Sequence, residues 1–123
     1  MLIVTTNDAP GYEVEETFGE VFGLVVRSRN IFSNIFAGIR SLAGGEIGSY
    51  TKLLMLTREQ AIERLIEAAE AKGANAVLMM RFDSGSLASA MNEVVAYGTA
   101  ARVRRLAMTE VSAAEREQVS AGI

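Results

Sequence analysis

Residues 49–83 read SYTKLLMLTREQAIERLIEAAEAKGANAVLMMRFD, and this stretch decides the fold. Ser49 is a side chain suited to cap a helix N-terminus. Leu54, Ala61, Leu65 and Ala68 or Ala69 then fall on one stripe, while Glu63, Arg64 and Glu67 take the wet side. The helical pattern runs to about Lys72 and stops at Gly73, a residue that accepts the positive φ of a helix end. Thr57-Arg58-Glu59-Gln60 has capping-box spacing and would allow two helices, but one continuous helix is the preferred reading. After Gly73 the chain changes character. Ala76 to Asp83 is rich in Val, Leu, Met and Phe and reads as a strand.

Downstream, Ser84-Gly85-Ser86 and Ala88-Ser89-Ala90 form a polar, small-residue connection. Glu93 to Leu106 is a long strand, predicted to make an antiparallel hairpin with the preceding one. Val95, Tyr97, Thr99, Ala101 and Val103 share one of its faces. Ala96, Gly98 and Ala100 share the other, a stripe small enough to admit a helix or a neighbouring subunit. Upstream, Leu2 to Thr5 reads as a short strand, and Asn7-Asp8-Ala9-Pro10-Gly11 as a turn. Tyr12 to Thr17 is a short strand or an extended arm. Glu20 to Arg29 is a firmer strand with both faces largely apolar, so both are expected to be covered. Phe32, Ile35, Phe36 and Ile39 recur at helical spacing and predict a short helix to Leu42, with Asn30 at its start and Gly44-Gly45 at its end. Ser112-Ala113-Ala114-Glu115 predicts a short peripheral helix in a tail covering 107–123, which leaves 1–106 as the single domain.

Composition narrows the function. Half of the 123 residues are hydrophobic and 22% are charged. The mean hydropathy of +0.21 is high for a small protein, whose surface is large relative to its volume. The apolar excess predicts a subunit interface. A net charge of −3 opposes a general nucleic-acid binder. There is no Cys and no His, which removes disulfides, thiolate and imidazole ligands, and the commonest general base. No stretch is long and apolar enough for a membrane span, and the first residues lack the basic start of a signal peptide, so a cytoplasmic protein is expected.

The set Asn30-Ile31-Phe32, Phe36-Ala37-Gly38-Ile39-Arg40, Gly44-Gly45, Gly48, Tyr50 and Lys52 resembles the YbjQ-like family of small bacterial proteins. Gly73-Ala74-Asn75-Ala76-Val77 after the long helix and Tyr97-Gly98-Thr99-Ala100 in the last strand agree with it. The resemblance covers about Met1 to Arg105. It implies an α+β subunit of the dodecin-subunit type, with an antiparallel sheet of three to four strands on one long and one short helix. It also implies assembly into rings, of five copies, and carries a heavy-metal-binding label. The chain departs from the family's pattern where its third strand usually has a Gly and an acidic residue and here reads Leu78-Met79-Met80-Arg81-Phe82. Glu46-Ile47 stands in place of the family's acid-rich segment after the double glycine, and Thr51 where an acidic residue is common, which weakens any carried-over metal site.

Each candidate constellation has a plain structural reading beside it. Met79 and Met80 alternate across a strand and are read as packing rather than as a metal chelate. Glu13, Glu15 and Glu16 are read as a solvated or salt-bridged arm. Arg102, Arg104 and Arg105 are read as partners for acidic neighbours or for Glu110 and Glu115. Gly44, Gly45 and Gly48 precede a helix N-terminus, where backbone N–H groups can hold an anion, but no P-loop Lys-Ser/Thr follows and a tight turn is the plainer reading. Arg40, Tyr50 and Lys52 complete this candidate ligand site. No catalytic residue, metal site or cofactor is predicted. The preferred reading is a non-enzymatic homo-oligomer, with Ile31, Phe32, Ile35, Phe36 and Ile39 at the interface. The alternative is a metal- or small-ligand-binding module around Gly44–Lys52.

Overall fold

The computed structural model describes residues 1–28, 48–87, 91–110 and 116–117. Among the described residues, four strands and one long helix carry the architecture: β1 (Leu2–Ile3), β2 (Tyr12–Ser28), α1 (Gly48–Ala71), β3 (Ala76–Leu87) and β4 (Met91–Arg105). The strands form one sheet in the order β1-β3-β4-β2. β3 and β4 pair antiparallel, as do β4 and β2, whereas β1 pairs parallel to β3 through Leu2 with Ala76 and Ile3 with Val77. The sheet is therefore mixed, which corrects the expectation of a wholly antiparallel one. The short helix expected over Phe32–Leu42 lies outside the described residues.

α1 is continuous, as the sequence predicts. Thr57 does not cap a second helix. It is 1% exposed, and its hydroxyl donates to the Leu53 carbonyl one turn back, at 2.8 Å. The helix ends where Gly73 takes a φ of +82°, with Lys72 N–H bonded to Ala69 and Gly73 N–H to Glu70. Asn75 then anchors the next strand. Its backbone N–H donates to Ala101, and its side-chain amide donates to the Val103 carbonyl at 2.9 Å and accepts from the Val103 N–H at 2.8 Å.

The helix lies on one face of the sheet, because that face is lined by small residues. Ala61, Leu65 and Ala69 are fully buried against Val21, Val25, Val77, Ala96 and Ala100. Complete burial of a leucine such as Leu65 contributes about 2 kcal/mol. The closest approach is at Gly23, where a Cβ would overlap the Ala61 carbonyl oxygen and the Leu65 amide nitrogen and would lie 3.0 Å from Leu65 Cα. Ala96 and Ala100 of the small-residue stripe thus serve the chain's own helix, whereas at Gly98 a Cβ would meet Val77 and the backbone of Leu78 on β3. A second core cluster sits on the opposite face, at one end only. There Ala76, Leu78, Ala101 and Val103 are covered by Ala9, with Leu2, Val4 and Tyr12 around it.

β2 is one 17-residue strand rather than an arm followed by a strand. It absorbs two irregularities, between Val14 and Glu16 and between Thr17 and Gly19, where Gly19 takes a φ of +87°. β3 carries a third between Leu78 and Arg81, and within it Met79 has a φ of 52°. Left-handed backbone favours glycine and costs another residue about 1–2 kcal/mol.

Candidate functional site

The candidate ligand residues divide into two groups. Arg40, Gly44 and Gly45 lie outside the described residues. Gly48, Tyr50 and Lys52 fall in the first turn and a half of α1, with the Lys52 side chain exposed. The five interface candidates, Ile31, Phe32, Ile35, Phe36 and Ile39, also lie outside the described residues.

Through Leu54 and Arg58, α1 borders a groove of about 170 Å³ that is completed by Phe82, Asp83, Ser84 and Val94. The Arg58 guanidinium carbon stands 5.0 Å from the centroid of the Phe82 ring, a cation–π contact. Asp83 accepts from the Ser84 N–H at 2.9 Å. Organic-ligand sites usually enclose about 300–1,000 Å³, so this groove is small for one. Sequence reasoning did not find it, because its lining joins α1 to both strands of the hairpin.

A polar ridge runs along the neighbouring side of α1 and ties it to β2. Arg27 Nε donates to the buried Thr57 hydroxyl at 3.0 Å, and its terminal nitrogen donates to Gln60. Further along, Arg64 donates to the Leu24 carbonyl. Lys72 donates to the Phe18 and Glu20 carbonyls at 3.3 and 3.1 Å. Lys72 thus reaches backbone on a strand more than fifty residues earlier.

The acidic and basic clusters of the sequence meet each other. Arg102 pairs with Glu16 at 2.8 Å and with Glu15 at 3.9 Å, and Arg104 pairs with Glu13 and with Glu110. Arg104 is held further into its charged form by Glu13 first and Glu110 second. The Ala107 N–H, donating at 2.7 Å, and then Arg104 hold the Glu110 carboxyl below the usual carboxylate range. Glu115, the other expected partner, lies outside the described residues.

A heavy-metal site does not fit these residues. Soft metals select thiolate and imidazole, and the chain has no Cys and no His. Among the described residues no three acidic side chains converge on a point that could hold an ion. Glu13, Glu15 and Glu16 are turned to arginines, and Met80 packs on the helix-side core while Met79 is 39% exposed.

The fold and its polar connections define a small α+β protein, with a mixed four-stranded sheet against one long helix. Its family follows from comparison with known proteins. The chain belongs to the YbjQ family: a family model described as "Putative heavy-metal-binding" matches residues 1–104. A UPF0145 protein of Streptomyces griseus is 58% identical over 106 residues, covering 86% of this chain and 88% of that one. A UPF0145 protein of Limosilactobacillus fermentum is 57% identical over 102 residues, covering 83% and 90%. A crystal structure of a protein of unknown function from Pediococcus pentosaceus, assigned to the DUF74 family, is similar with a TM-score of 0.51. It is 13% identical and covers 85% of this chain and 98% of that one, a likeness of fold. No described helix is long and apolar enough to cross a membrane.

Proposed function

We propose that this protein is a non-enzymatic, self-associating α+β subunit whose 1–106 domain does the assembling and whose 107–123 tail is peripheral. One observation carries the reading. Large apolar side chains stand at the surface of the single chain, among them Phe22, Leu24, Val26, Met55, Leu56 and Met91, all more than 40% exposed. A composition that is half hydrophobic supports the same conclusion, since a subunit contact removes such surface from water. A ring of five copies in the cytoplasm is the form that the family resemblance suggests, with Ile31, Phe32, Ile35, Phe36 and Ile39 contributing contacts. Size-exclusion chromatography with light scattering at micromolar concentration tests the reading. A discrete multiple of 13.2 kDa is expected, and a monodisperse single chain ends it.

The competing reading is a small-ligand module around Arg40, Gly44, Gly45, Gly48, Tyr50 and Lys52. What favours it is the position of Gly48, Tyr50 and Lys52 at the start of α1, where backbone N–H groups can hold an anion. A thermal-shift panel of metals and anionic metabolites tests it, because a ligand of the native state raises the midpoint with its concentration.

A further inference from the structure

We infer that the groove between α1 and the hairpin binds a small zwitterion, an α-amino acid with a short aliphatic side chain, with Arg58 at its carboxylate and Asp83 at its ammonium. The inference stands whether or not copies of the chain associate, and it uses none of Gly48, Tyr50 and Lys52. Arg58 is held in place but left without an acceptor. Its guanidinium carbon lies 5.0 Å from the centroid of the Phe82 ring, and among the described residues it makes no hydrogen bond or ion pair. Other cations of the fold are engaged. Arg27, Arg64, Lys72 and Arg81 donate to protein oxygens, and Arg102 and Arg104 pair with glutamates. Stacking occupies the face of a guanidinium and leaves the N–H donors in its plane, a fork that matches a carboxylate.

Asp83 lines the same groove with the opposite charge, yet it does not pair with Arg58. One of its oxygens accepts from the Ser84 N–H at 2.9 Å, and the other has no donor among the described residues. Two opposite charges that border one space without meeting leave room for a group that carries both. A simple anion at Arg58 is repelled by Asp83, and a simple cation at Asp83 is repelled by Arg58; a zwitterion satisfies the two together. The groove of about 170 Å³ holds the volume of about six liquid waters. That is room for a molecule the size of alanine or valine and too little for a drug-sized ligand. Leu54, Phe82 and Val94 supply an apolar wall for the aliphatic side chain. Arg58 and Asp83 are both exposed, so each ion pair is modest and the Kd is on the order of 1 mM.

The test is an NMR titration of the isotope-labelled full chain with L-alanine at fixed ionic strength. It follows the Ser84 amide, whose hydrogen bond to Asp83 reports on that carboxylate. A saturable shift with a Kd on the order of 1 mM is expected. Arg58→Gln and Asp83→Asn should each weaken it by about tenfold or more. On the wild-type chain, alaninamide lacks the carboxylate and N-acetyl-L-alanine lacks the ammonium, and both should bind about tenfold more weakly than alanine. These two ligands keep the test decisive even if a variant fails to give the wild-type spectrum. The inference is overturned by the absence of a saturable shift up to about 50 mM alanine. It is equally overturned by a folded variant that keeps the wild-type affinity, or by either single-charge ligand binding as tightly as alanine.

Discussion

Gly23→Ala isolates the contact on which the seating of α1 depends. Gly23 pairs with Ala96 and faces the helix. Its φ lies outside the left-handed region, so alanine fits the backbone and the cost is one of space. The atoms a new Cβ would meet are Ala61 O, Leu65 N and Leu65 Cα, all backbone, so no rotamer change can make room. The helix must move away, loosening Leu65 and Ala61 from Val21, Val25 and Ala96. Overpacking of a core costs about 1–3 kcal/mol, and a clash with helix backbone belongs at the upper end. Reduced freedom of the unfolded chain returns about 0.5–1 kcal/mol. The expected net loss is about 2 kcal/mol. With a urea slope of about 1.5 kcal/mol/M, the unfolding midpoint falls by about 1.3 M. Circular dichroism at fixed protein concentration measures it, since association also shifts stability. Gly85→Ala is the control, because nothing lies within 4 Å of a Cβ there. A Gly23→Ala midpoint within about 0.3 M of wild type would refute the close approach of α1 to β2.

Thr57→Val keeps the shape of a buried side chain but removes the acceptor of Arg27 Nε, and should cost about 1–3 kcal/mol in urea unfolding. Met79→Gly should be more stable than Met79→Val by about 2 kcal/mol, since glycine accepts a φ of 52° and a β-branched residue does not. The Glu110 contact should weaken in acid. Its carboxyl titrates below the usual range in the folded chain, so its contribution is present above the ordinary carboxylate pKa and is lost as pH falls through the lowered value. The Ala107 amide resonance in NMR should report this loss, and Arg104→Ala should move its midpoint to higher pH.

The helix was legible to within a residue or so at each end, because its Ala61-Leu65-Ala69 stripe and Gly73 stop are local signals. The β3–β4 hairpin was legible for the same reason, though shorter than it is. Ser84, Gly85 and Ser86 look like a connection by propensity, yet they pair with Val94, Glu93 and Asn92. β2 read as two pieces because Glu13, Glu15, Glu16 and Gly19 interrupt its alternation. The interruption is resolved only by Arg102 and Arg104 on the adjacent strand and by two register shifts. The parallel pairing of β1 left no trace in two residues. Of the candidate site, Lys52 could be placed from its helix, whereas the groove at Phe82 and the Arg64 and Lys72 contacts to β2 required the third dimension. The expectation that both faces of β2 are covered held for Val21 and Val25 and not for Phe22, Leu24 and Val26 within one chain. Periodicity reports that a face is greasy without reporting whose atoms meet it.

Asn75 has a kinetic consequence. It grips Ala101 and Val103 from the residue that follows the helix exit, so this end of the hairpin cannot peel open while α1 remains docked. Amide protons near Ala101 and Val103 should therefore exchange in step with those of the helix, through a shared global opening. Those around Ser84 to Ser86 and Asn92 should exchange sooner, through fraying that begins at the far tip and halts before it reaches Asn75.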